Sequence, residues 1–165
     1  MALEYLLKRE VSKDSSGTSP LVLPPILPQV EEKPNQPIIV TQKTAILVDV
    51  ENLPQFISNL PKFDGPLVIY AFIGMHHPRA DTNFGDGVVK IISPSTRPDG
   101  TDTCMQLHVG LFLASEIFDR YLIATRDHFG STLVELIDSP GFPWNRKSAA
   151  VVSNIRHVLK VLSQA

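Results

Sequence analysis

Residues 44–50 read TAILVDV, a run of apolar and β-branched side chains interrupted by one carboxylate, Asp49. A run of this length and character predicts a strand in a sheet covered on both faces. Outward from it, Pro66–Ile73 (PLVIYAFI) and Val88–Ser93 (VVKIIS) predict two further strands, and Asp119–Thr125 (DRYLIAT) a fourth. Between the third and fourth the period turns helical. Met105, Val109, Phe112 and Leu113 share one face of a helix predicted over Asp102–Ile117. Pro54–Leu60 predicts a short helix, with Asn52 as a candidate N-cap. Phe129–Ile137 predicts another. Ser148–Ser163 reads as a last amphipathic helix that turns Val151, Ile155, Val158, Leu159 and Leu162 inward. Gly74–Gly87, Pro94–Thr101 and Ser139–Trp144 read as loops.

Strands alternating with helices imply parallel pairing through right-handed crossovers. The fold class is therefore α/β: a three-layer sandwich around a central, mainly parallel sheet, spanning residues 43–165. Residues 1–42 differ. Prolines at 20, 24, 25, 28, 34 and 37 and a Ser/Gly/Thr patch at 15–19 predict a flexible proline-rich tail. Leu3–Val11 suits a short helix. Leu21, Val22, Leu23, Ile26 and Leu27, apolar among the prolines, suit a segment that straps onto the domain or onto a protein partner, beside the plainer reading of an ordinary flexible tail.

The 165 residues are 43% hydrophobic and 19% charged, enough for one domain with a core. The formal charge of −2 means that a nucleic acid would have to meet a local basic patch. One cysteine, Cys104, permits no intramolecular disulfide and argues against a cysteine-based zinc site. The adjacent pair His76-His77 lacks zinc-ligand spacing. No apolar run reaches the roughly 18 residues of a membrane span, and residues 1–10 lack a signal-peptide pattern. The expectation is a soluble, intracellular protein of the cytoplasm or nucleus.

In open parallel sheets, functional groups gather at the carboxyl ends of the strands. That rule selects three acids. Asp49 closes the first strand among core residues, where a carboxylate is costly unless paired, hydrogen-bonded or metal-bound. Asp127 follows the fourth strand, and Asp102 opens the long helix after the third. If the first and fourth strands are neighbours, the three converge. Gathered carboxylates repel one another, and a divalent cation with oxygen ligands, Mg²⁺ or Mn²⁺, relieves that repulsion. Each acid also has a plainer reading: Asp102 as a helix-terminal acid, Asp127 as a cap or a partner of Arg126, Asp49 as a hydrogen-bonded core group. Glu51 is a possible extra ligand, although it points to the other face if the strand continues. Asp119 lies at the opposite end of the sheet and reads as structural, and Glu116, late on the helix, reads as solvent-facing.

The sequence around these acids resembles the NYN domains of the PIN-like nuclease superfamily. Leu47-Val48-Asp49-Val50-Glu51-Asn52-Leu53 resembles their first-strand motif, an Asp followed three positions later by Asn. Asp99-Gly100-Thr101-Asp102 resembles the second, a Gly-x-Asp at a helix start. Tyr121–Phe129, a strand running into Thr125-Arg126-Asp127-His128-Phe129, resembles the third. The likeness covers about residues 43–137. It departs from the pattern where His108 and His128 stand near positions that often carry Asp.

What the resemblance implies is a metal-dependent endoribonuclease that hydrolyses RNA phosphodiester bonds. Asp49, Asp102 and Asp127 would ligate Mg²⁺ or Mn²⁺, and Asn52 would place substrate or water through its amide. The alternative is a catalytically weak or inactive PIN-like module that binds RNA or a protein partner, which the missing acids favour. For single-stranded RNA, Arg97 and Arg126 are the candidate phosphate contacts, with Arg79 nearby in sequence. Phe84 and Trp144 are candidate stacking residues, Trp144 equally readable as a core plug. His108 and His128 are candidates for proton transfer, or for packing and surface roles. No Gly-x-Gly-x-x-Gly, Gly-rich Lys loop or Gly-x-Ser-x-Gly occurs, which argues against a nucleotide cofactor site or a serine hydrolase.

Overall fold

The computed structural model describes residues 37–143 and 147–164. The sequence expectations for residues 1–36, including the helix at Leu3–Val11 and most of the proline-rich tail, lie outside the described residues, as does Trp144. The described elements are β1 (Ile38–Ile39), β2 (Thr44–Asp49), β3 (Phe63–Asp64), β4 (Leu67–Gly74), β5 (Val88–Ser93), α1 (Gly100–Ala114), β6 (Arg120–Ala124), α2 (His128–Asp138), β7 (Ser148–Val152) and α3 (Ile155–Leu162). Five strands form one parallel sheet in the order β5-β4-β2-β6-β7. β1 and β3 form a separate parallel pair, which brings Val40, assigned by sequence to the tail, into the core.

β2 lies in the middle, and all six of its residues are buried. Alternation along it divides the core. Ala45 and Leu47 face a layer that includes Met105, Val109, Leu113 and Ile137 of α1 and α2. Ile46 and Val48 face a layer that includes Leu53, Phe56, Val158 and Leu162. The result is the expected three layers. Full burial of each Leu, Ile or Val contributes about 1.5–3 kcal/mol, so the fully buried β2 contributes strongly to the stability of the sheet centre. From β2 the chain moves to β4 and β5 on one side, then returns through α1 to β6 on the other. The order reverses at the β2–β6 junction, where α/β sheets open a crevice above the strands.

Several element boundaries differ from the sequence expectation. Ser148–Ser163 is not one helix: it is strand β7 followed by α3. Asn154 separates them, its side chain accepting the His157 N–H at 3.0 Å as an N-cap. Pro54–Leu60 forms only a turn and a short 3-10 segment, Ile57–Asn59. Leu60 is extended there, as a residue before proline prefers. The long helix starts at Gly100 and ends at Ala114 rather than spanning Asp102–Ile117. Glu116, with φ 51°, turns the chain, while the N–H groups of Glu116 and Ile117 return to the carbonyls of Leu113 and Phe112. Among the described residues no helix is long and apolar enough to cross a membrane.

Candidate metal centre

Pairing of β2 with β6 places the end of one beside the end of the other, with Val48 opposite Ala124. Asp49 and Thr125 therefore meet above the sheet, and Asp127 follows two residues later. α1 descends from the same rim. Asp102 sits in its first turn, where the helix dipole favours a negative charge. One carboxylate oxygen from each of Asp49, Asp102 and Asp127 lies within 4.8 Å of the other two. Three acids from three stretches of chain are thus brought together. Their exposure is graded: Asp49 buried, Asp102 half-buried, Asp127 exposed.

Asp49 is only 1% exposed, and its carboxylate is held by four donors. Oδ1 accepts the N–H groups of Glu51 (3.2 Å) and Asn52 (3.3 Å). Oδ2 accepts the Thr125 hydroxyl at 3.0 Å and the Asn52 side-chain amide. The same Asn52 Nδ2 also donates to Asp127 Oδ2, so one amide spans two acids. Asn52 is thus not the N-cap of a helix. Thr125, which the sequence reading left without a role, donates to Asp49 and accepts the Asp127 N–H at 3.1 Å. Its only sequence signal was position: a polar residue closing an apolar strand, as Asp49 does. Gly130 leaves room for it, since a Cβ there would lie 2.5 Å from Thr125 Cγ2.

Asp102 has its pKa pushed up to about 6. Partial burial is the leading cause, followed by the charges of Asp49, Asp127, Asp99 and Glu51. No Lys or Arg of the described residues forms an ion pair with these acids; the ion pair there is Lys147 with Asp119 at 3.3 Å, at the other end of the strands. Glu51 lies on the same rim and has a bridging role. Its Oε1 accepts the Gly74 N–H at 2.8 Å and the Thr101 hydroxyl at 3.1 Å, tying the end of β4 to the start of α1.

Asp102 and Asp127, with Glu51 and Asn52, line a crevice of about 500 Å³. Its other wall includes Met75, His76, His77 and Arg97 from the loops after β4 and β5. Arg97 thus faces the crevice as its sequence position suggested. Arg126 does not: it lines a separate depression with Phe56, Asn59 and Asn154. The Arg79 guanidinium donates to the Pro54 carbonyl. His128 borders a neighbouring depression with Asp102 and Asp127. His108 makes its contacts within α1 and with β4. Its Nδ1 lies 2.8 Å from the Cys104 carbonyl oxygen and its ring meets Phe72 edge-on. Phe84 is half-buried, packs against the core and lines a depression with Phe63 and Val88, apart from the acids.

Oxygen donors alone, three of them carboxylates within a few ångströms, form the set preferred by Mg²⁺ and Mn²⁺ over zinc or copper. An octahedral ion with bonds of about 2.1 Å spans roughly 3–4 Å between its ligands. The observed cluster is close to that spacing. The chain matches no protein-family model, no curated protein and no solved structure, so the acid cluster itself is the strongest pointer to what the protein does.

Proposed function

We propose that the chain is a divalent-metal-dependent endoribonuclease of the PIN-like, NYN type, acting on single-stranded RNA. The observation that carries this reading is the convergence of Asp49, Asp102 and Asp127 at the β2–β6 junction, with no Lys or Arg among the described residues in an ion pair with them. Each of the three offers an oxygen to Mg²⁺ or Mn²⁺. When bound, such an ion supplies Lewis-acid activation of water and neutralises charge at the scissile phosphate. Asn52 and Thr125 hold Asp49 and Asp127 in register, and Asn52 faces the same space with its amide. Arg97 gives the opposite wall a fixed positive charge for a phosphate of the substrate strand. His128 stands beside Asp127 at the mouth, placed to exchange a proton with solvent.

A second reading is a weak or inactive PIN-like module that binds RNA or a protein. One observation favours it. The two oxygens of Asp49 already accept four hydrogen bonds, which matches the capacity of a carboxylate. An ion must compete with those donors. The two readings separate when single-stranded RNA is incubated with the protein and Mn²⁺, with and without chelator, beside Asp49→Asn. The enzyme reading expects cleavage that both chelator and substitution abolish. RNA retained without cleavage supports the module, and neither cleavage nor retention removes the enzyme and the RNA-binding form of the module, leaving only binding to a protein.

A further inference from the structure

Asp99, Asp102 and Asp127 border two depressions at once. On one side is the crevice that holds Arg97. On the other is a depression of about 330 Å³, lined also by Thr103 and Gln106 of α1 and by His128 and Phe129 of α2. Gln106 and Phe129 belong in turn to a third depression of about 320 Å³, which Thr132, Leu133 and Leu136 complete. The last two therefore join into one groove between α1 and α2 that begins at the acids. Helical spacing accounts for it. Gln106 stands one turn beyond Asp102, about 6 Å along α1, and Phe129, Leu133 and Leu136 share one face of α2.

The chemistry changes along this groove. Its near end is acidic. Its far end is lined by no charged residue, only by a phenyl ring, two leucines, a hydroxyl and an amide. Leu136 there is 45% exposed. Phe129 is half-buried, and its ring meets no other aromatic ring among the described residues. Gln106 is exposed, and its amide has no hydrogen-bond partner among the described residues. A phosphate is poorly suited to such a place, because no Lys or Arg lines it and acids guard its entrance. A flat, neutral group with an apolar face and hydrogen-bonding edges is well suited. Nucleobases are such groups: any of them stacks on an aromatic side chain, and the paired donor and acceptor of an amide match a base edge.

We propose that the α1–α2 groove is a base subsite: it holds the base of the nucleotide next to the phosphate at the acid cluster, with Phe129 as the stacking surface and Gln106 reading the base edge. This inference rests on the reading of the acids as a metal site for RNA. The strand then crosses the acids from one depression to the other. Arg97 takes a phosphate on the crevice side, the acid cluster with its ion takes the scissile one, and the next base turns into the groove. Stacking on Phe129 accepts every base, whereas the Gln106 amide distinguishes among them. Sequence preference would thus come from the helices, separately from the strand ends that supply the chemistry.

The test uses a short single-stranded RNA and copies of it in which one abasic nucleotide is moved along the strand. Binding is read by fluorescence anisotropy with Ca²⁺ in place of Mn²⁺, and cleavage with Mn²⁺, for the full chain, Phe129→Leu and Gln106→Ala. Leucine keeps the packing of Phe129 but removes its ring, and Gln106 is exposed, so circular dichroism checks that both variants fold. In the wild type, one abasic position next to the cut should weaken binding about 10-fold, the scale of losing one base–aromatic stack. Phe129→Leu should weaken binding of the intact RNA to the same extent and show no further loss with the abasic copy. Gln106→Ala should abolish the preference among the four bases at that position. Wild-type protein that handles intact and abasic RNA alike overturns the subsite, even where it cleaves and the nuclease reading stands. A full abasic penalty in Phe129→Leu, or a base preference unchanged in Gln106→Ala, overturns it as well. Base-dependent binding without cleavage would sink the nuclease reading and leave the subsite in place. Neither binding nor cleavage overturns both.

Discussion

The two ends of β2 and β6 make an instructive pair. At the amino end, Asp119 is 53% exposed in its side chain and is matched by Lys147 at 3.3 Å. At the carboxyl end, Asp49 is buried and its charged neighbours are more acids. The first end is balanced from within the chain. The second is held by neutral donors from Asn52, Thr125 and the backbone, which orient the carboxylates without cancelling their charge. An acid cluster arranged this way is suited to a cation from solution, whereas Asp119 has no such use for one.

The largest effect should come from neutralising the buried acid. Asp49→Asn is expected to lower metal-dependent RNA cleavage by about 10³-fold or more, the scale of losing a principal charge-stabilising group. Asp119→Asn should leave the rate essentially unchanged. A cleavage assay on both variants, with circular dichroism to confirm folding, breaks the contrast if they respond alike. Thr125→Val comes next. It removes one donor from Asp49 and orphans the Asp127 N–H, costing about 1–3 kcal/mol in denaturant unfolding. It should also weaken Mn²⁺ binding by about 10–100-fold, as loss of a residue that orients metal ligands does.

The acidic end should also respond to pH through Asp102. Asp102 is pushed up to about 6 from an ordinary value of 3.8. Between those values the folded state keeps a proton that the unfolded chain has released. The Asp102 contribution to stability therefore falls as pH rises through that window and is fully lost above it. Bound Mn²⁺ requires the ionised form. The rise in Tm on adding Mn²⁺ should accordingly be larger at pH 7 than at pH 5. An equal rise at both would remove the role given to Asp102. Smaller still, Arg97→Ala should raise KM a few-fold and flatten its salt dependence, as loss of one phosphate contact does. Arg126→Ala should do less, because Arg126 lines a different depression. Smallest of all, breaking the Lys147–Asp119 pair should cost no more than about 1 kcal/mol.

The strong signals in the sequence were those with a single physical cause. TAILVDV could only be a strand buried on both faces, and a carboxylate inside it could only be expensive, so the sheet centre and Asp49 were legible. The α/β class followed from alternation, whereas the neighbouring of the first and fourth predicted strands stood only as a condition, which the β2–β6 pairing meets. β7 was not legible. Val151 and Val152 favour a strand, but Val151, Ile155, Val158, Leu159 and Leu162 also fit a helical period, and the longer pattern outweighed the local one. Asn154, which caps α3, was the signal that divided them. β1 and β3, at two residues each, are too short to carry a period at all. At the site, spacing found the acids, but not the groups that hold them. Asn52 read as a cap because its contact with Asp127 joins residues 75 apart in sequence. Thr125 had no chemistry of its own to announce it, and Arg126, beside Asp127 in sequence, points to another depression.

Titration calorimetry with Mn²⁺ at pH 7, on wild type and Asp102→Asn, bears most directly on the acid cluster. Asp102 is half-buried and lies in the first turn of α1, so its amide replacement should fold. Saturable heat and a raised Tm in the wild type, both lost in the variant, are the expected result. A folded wild-type protein that gives neither heat nor a Tm shift, or a variant that binds as tightly as wild type, would contradict a cation site built from Asp49, Asp102 and Asp127.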